Sequence, residues 1–120
     1  MSISNYAELA FLNTMRNVSF VVAVPYMKLH LGDPGENGTA NAAVNAIRKA
    51  VSFGDASGGS MVSNGIVEWT DVSTTETYTH WSLWDDSVAG NCLWSGVLSS
   101  SATVTDGDTF RVTSLVLSLD

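Results

Sequence analysis

The sequence predicts a mainly β fold: an antiparallel β-sandwich or partly closed barrel with one N-terminal helix. Three observations predict it. Short runs with period-two alternation recur along the chain, separated by turn residues about every 8–12 positions. Only one segment, about residues 5–17, places apolar residues at helical spacing behind a capping pattern. Charged residues make up 14% of the chain, against about 25% in an average globular protein. Ser, Thr, Gly and Asn fill the difference, a composition that favours turns and strands over long solvated helices. The 120 residues suit one β-rich domain spanning 1–120, and the 45% apolar content excludes a disordered tail.

Taken in order, the first element is the helix. Asn5 and Glu8 have capping-box spacing. Leu9, Leu12 and Met15 follow at helical spacing, with Phe11 widening the apolar face. From Phe20 to Leu31 the pattern becomes strand-like, with Met27, Leu29 and Leu31 alternating with Lys28 and His30. Gly32–Gly38 is a dense cluster of turn residues. Asn41–Ala50 is ambiguous: its alanines favour helix, while the Val51 and Phe53 that follow favour strand. Met61–Trp69 reads as a strand with Gly65 as a bulge. Thr75–Trp84 and Cys92–Leu98 read as a hairpin, Asp106-Gly107 as a turn, and Phe110–Leu119 as the last strand.

The charge balance narrows function. Net charge is -7, and the five basic residues are scattered, which argues against binding nucleic acid or an anionic membrane surface. A single cysteine, Cys92, excludes a disulfide framework within the chain. No apolar run reaches about 18 residues, and the start shows no signal-peptide pattern. Assembly in a host cytoplasm is expected.

No catalytic, cofactor or metal set emerges. His30 and His80 each have an aspartate nearby in sequence, Asp33 and Asp85, but neither spacing is diagnostic, and both read as ordinary strand histidines. Asp33, Glu36 and Asn37 share a loop yet lack the regular oxygen spacing of a calcium loop. The Gly54–Gly59 stretch has no following Lys-Ser/Thr, and no nucleophile elbow is present. The chain is therefore expected to be non-enzymatic, with no cofactor.

Four tryptophans stand out: Trp69, Trp81, Trp84 and Trp94. Trp81 and Trp84 are three apart, so on a regular strand they point to opposite faces. One can enter a single-sided core; the other must be covered by the helix or a second sheet, or lie at a partner interface. Phe11, Trp81, Trp84 and Trp94 are the candidate interface residues.

Tyr26-Met-Lys-Leu-His-Leu-Gly-Asp-Pro-Gly-Glu-Asn-Gly-Thr39 resembles the Tyr-x-x-Leu-His-x-x-Asp-Pro-Gly segment of a family of small tailed-phage virion proteins, often labelled phage tail fiber proteins. The resemblance continues through Arg48–Phe53, Thr79–Asp85, Gly90–Leu93 and Gly107–Arg111, and departs at Ala46, where the family usually has an aromatic residue. It implies a virion structural protein that acts by packing and carries no catalytic residues. Small size and the absence of heptads favour a capsid decoration or minor capsid protein. The alternatives are a tail-associated protein (tail fiber or minor tail) or a carbohydrate-binding module using exposed aromatics. Expected partners are other virion proteins, of the capsid or the tail. Self-association is also expected, a trimer about a symmetry axis being one closed arrangement.

Overall fold

The structure, a computed structural model, describes residues 1–119. Its elements are β1 (Ser2–Ile3), α1 (Asn5–Thr14), β2 (Tyr26–His30), β3 (Lys49–Ala50), β4 (Ser52–Phe53), β5 (Ser60–Asn64), β6 (Val67–Trp69), β7 (Glu76–Trp84), β8 (Cys92–Val104), β9 (Phe110–Val112) and β10 (Val116–Ser118). Every strand pair is antiparallel. The main sheet has the order β1-β8-β7-β2-β3; a smaller one has β10-β5-β4, and β6 pairs with β9. The sheets are not closed into a barrel, so of the two expected architectures the sandwich is the one formed.

The β7–β8 hairpin is the spine. Asp85 closes its loop by accepting hydrogen bonds from the Asn91 backbone (2.7 Å) and side-chain amide (3.1 Å). Ala89 and Gly90 supply the left-handed turn at its tip. β8 runs well past the expected Leu98, to Val104, and bulges twice. Leu83 opposes Trp94, but Trp84 opposes Cys92; Tyr78 opposes Ala102, but His80 opposes Val97. Each bulge places extra β8 residues against fewer on β7 and bends the sheet.

Both faces of the main sheet are covered. On one, Met27, Leu29, Trp81 and Leu83 join Ala7 of α1 and Leu115 and Leu117 of the C-terminal segment in a single core. On the other, His30, Ser82, Trp84 and Cys92 lie beneath the segment 32–48, which carries the Asp33-Pro34-Gly35 turn. There the Asp33 side chain accepts from the Gly35 backbone (2.9 Å), and Pro34 is fully buried. The ambiguous Asn41–Ala50 forms no helix. Glu76 instead receives the Val44 and Asn45 backbone N–H groups on its two carboxylate oxygens, each at 3.0 Å.

Five local expectations are corrected. The helix is capped by Ser4, whose Oγ accepts from the Ala7 backbone (3.1 Å) and donates to the Cys92 carbonyl of β8, rather than by Asn5. Its regular part stops at Thr14, and a Schellman-type close follows: Asn17, in the left-handed region, donates to Thr14, and Val18 donates to Asn13. The Phe20–Leu31 strand shortens to Tyr26–His30. Residues 19–24 join no strand and make no backbone hydrogen bond among the described residues, and Pro25, which lacks an N–H, precedes the first ladder pair. Finally, Gly65, at φ 71°, is the break between β5 and β6 rather than a bulge within one strand, and the last expected strand divides into β9 and β10.

Candidate interaction surface

The four sequence-predicted interface residues divide between the two faces of the main sheet. Phe11 is half-buried and makes edge-on contacts with Trp94 and Phe20, at centroid distances of 6.0 and 5.2 Å. Trp94 lies on the α1 side of β8, where the helix is held by Ser4. Trp81 packs against the backbone at Gly96, where even a Cβ would come within 2.7 Å of the indole. Trp81, Trp84 and Trp94 are all buried within the chain. Trp81 and Trp84 do point to opposite faces, and the second face is closed by the segment 32–48.

Trp84 is the anchor of that second face. The Arg48 guanidinium stacks over its ring at 4.0 Å, with the Lys28 ammonium at 5.7 Å. Arg48 also donates to the Asp86 (2.9 Å) and Ala89 (2.6 Å) carbonyls, so one side chain ties the segment 32–48 to the hairpin loop. The pKa of Lys28 is lowered, first by burial and then by the charge of Arg48.

Beneath Trp84 lies a closed polar relay. His30, with no exposed surface, contacts the Ala40 carbonyl through Nδ1 (2.9 Å) and Ser82 Oγ through Nε2 (2.7 Å). The carbonyl can only accept, so Nδ1 carries the proton and Nε2 accepts from the Ser82 hydroxyl. The Trp84 indole N–H then donates to Ser82 Oγ at 2.7 Å. Burial lowers the His30 pKa, in keeping with a neutral ring. The pair has the composition of a nucleophile and base, but neither group is accessible and every polar atom has a partner. Cys92 is similarly enclosed, and burial pushes its thiol up to about 11. Among the described residues, no three His, Cys, Asp or Glu side chains gather as a metal set. Among the described residues no helix is long and apolar enough to cross a membrane.

The exposed apolar surface lies on α1. Leu9, Leu12 and Met15, read as one apolar face with Phe11, separate from it: they point to solvent, while Ala7 and Phe11 form the inner side. The helix is thus apolar on both sides, and this was the available signal: two apolar rows offset around the same helix. Val21 is also exposed. Next to this face, Phe11, Phe20, Phe53, Met61, Trp94 and Leu117 line an apolar crevice of about 230 Å³.

Compared with known families, residues 2–120 match the one described as Podophage GP4 fiber I protein gp80. No curated protein matches the chain.

Proposed function

Because the chain belongs to the podophage GP4 fiber I protein family, we propose that this bacteriophage virion structural protein is a tail-associated fiber component acting by protein–protein packing. The family match across residues 2–120 carries the reading. A fiber description favours the tail-associated alternative over the capsid decoration expected from chain size, because a compact domain can be one link of a fiber built from several chains. The absence of heptads argues only against a coiled-coil shaft.

The architecture supports packing over chemistry. The Ser82–His30 pair, the one Ser–His pair in contact among the described residues, is sealed inside the sandwich with both imidazole nitrogens engaged. The tryptophans a sugar-binding module would expose are buried. Meanwhile α1 turns apolar side chains outward, as an assembly protein would.

The test is labelling of intact particles with a monoclonal Fab raised against this chain, viewed by negative-stain electron microscopy, together with quantitative mass spectrometry. Fab density at the tail vertex, with tens of copies or fewer per particle, is expected. Fab spread over the shell, with copies on the order of hundreds as a capsid lattice would require, overturns the reading.

A further inference from the structure

We propose that the outward face of α1 is a self-association site, at which a second copy of this chain packs antiparallel to the first about a two-fold axis. This deepens the assembly reading and rests on it only for its place in the particle. On α1 and its last turn, Asn5, Leu9, Leu12 and Arg16 follow one another at steps of four, three and four residues. That spacing is the seam of two packed helices. Leu9 is 62% exposed, Leu12 68% and Met15, beside them, 84%. The opposite side of the helix already has its partner, in Ala7 and Phe11 against Trp94. A helix apolar on both sides is the pattern of a buried one.

Charge selects the occupant and its direction. The only charged residues on α1 and its last turn are Glu8 and Arg16, one at each end of the leucine pair. Neither forms an ion pair among the described residues. In a parallel pair each residue meets its own counterpart, so Arg16 falls on Arg16 and Glu8 beside Glu8, which is repulsive. In an antiparallel pair Leu9 of one copy lies on Leu12 of the other. Arg16 then meets Asn5 and comes within a turn of Glu8. The surface is self-complementary in that direction, as an isologous two-fold contact requires.

The available area agrees. Leu9, Leu12 and Met15, with Val18 and Val21 just beyond the helix, expose on the order of 600 Å² of largely apolar surface per copy. That exceeds an ordinary scattered surface and approaches the ~800 Å² per partner of a stable interface. The contact is therefore at the small end of specific dimers, and its dissociation is expected in the micromolar range.

Sedimentation velocity of the full chain across a concentration series tests this. Wild type is expected to pass from monomer to dimer. Leu12→Glu, at a position exposed in the monomer, is expected to keep the wild-type circular dichroism and to weaken dimerisation about tenfold or more. A charge exchange supplies the independent arm. Glu8→Arg alone and Arg16→Glu alone each weaken the dimer, and the double variant recovers it. A wild-type chain that stays monomeric at about 100 μM, far above the Kd expected here, overturns the proposal and assigns the face to a different virion protein. A dimer indifferent to Leu12→Glu, or single charge variants that cost nothing, also overturns it. Either failure leaves the particle-labelling result untouched, so the two readings fail separately.

Discussion

Gly38→Ala isolates what the Asp-Pro-Gly segment does in this fold. Gly38 sits at φ +71°, where an L-residue costs about 1–2 kcal/mol. It also presses against the hairpin. A Cβ built there would lie 2.5 Å from Cys92 Sγ, 2.9 Å from Cys92 Cβ and 3.0 Å from Trp84 Cζ2. None of these atoms can move aside easily. Cys92 is buried on β8, and the Trp84 ring is held between the Arg48 guanidinium and its own bond to Ser82. Overpacking against such a wall adds about 1–3 kcal/mol, so the substitution should destabilise by roughly 2–5 kcal/mol. Gly35 is the internal control. Its φ is +74°, but nothing lies within 4 Å of its added Cβ, so Gly35→Ala should cost only the conformational term, about 1–2 kcal/mol. Urea denaturation followed by tryptophan fluorescence measures both. In a double-mutant cycle Cys92→Ala removes the nearest atom, and Gly38→Ala should cost about 1 kcal/mol less in that background. Equal destabilisation at Gly35 and Gly38, or no coupling to Cys92, would refute the account of segment 32–48 as a layer seated on Trp84 and Cys92.

Three further outcomes follow from the buried groups. Ser82→Ala leaves the His30 Nε2 acceptor and the Trp84 indole donor without partners in the interior, at about 1–3 kcal/mol each. A loss below 1 kcal/mol by the same urea assay would mean that the relay is not closed. His30 should make stability depend on pH. Its folded pKa is lowered, chiefly by burial, so the unfolded chain takes up a proton first, near pH 6.5, and stability falls as pH drops below that value. The slope approaches 1.4 kcal/mol per pH unit for the one proton, and unfolding free energies that stay flat between pH 7.5 and 5.5 would contradict it. Cys92, with its thiol raised to about 11 from an ordinary value near 9, should cost stability as pH climbs between those values. It should also react with iodoacetamide at pH 8 far more slowly in the native than in the urea-unfolded chain; equal labelling rates would mean that the thiol is accessible.

The strands were legible where a period of two ran without interruption. Met27 and Leu29 on β2, and the β7–β8 hairpin with its Gly90 turn, follow directly from alternation and turn chemistry. The length of β8 was not legible. Its Ser99-Ser100-Ser101 run looks like a loop and has no partner on β7: it lies in the bulge opposite Thr79, and pairing resumes at Ala102. Nor could the chain reveal that Val18–Val24, rich in β-branched residues, would stay outside every ladder. Propensity describes the residue, while pairing requires a free edge at the right place. The Trp81/Trp84 parity argument was sound in placing the two indoles on opposite faces. Whether the second face meets a partner or the chain's own segment depends on Arg48, whose stacking on Trp84 spans 36 positions that no local pattern connects.

The rotation of α1 about its own axis has a definite physical origin. Leu9, Leu12 and Met15 make a helical row, and so do Ala7 and Phe11 with Thr14. Periodicity alone shows both rows, and burying leucine gains more than burying alanine. Here the smaller stripe faces in. Ser4 fixes the rotation: its Oγ caps the helix while bonding the Cys92 carbonyl, and its N–H bonds the Leu93 carbonyl. Those bonds lay α1 close against β8, where Ala7 fits with no exposed surface and a leucine at that position would not. A cap that is also a tether therefore outranks hydrophobicity in orienting a short helix. The leucines it turns outward are left exposed on the single chain.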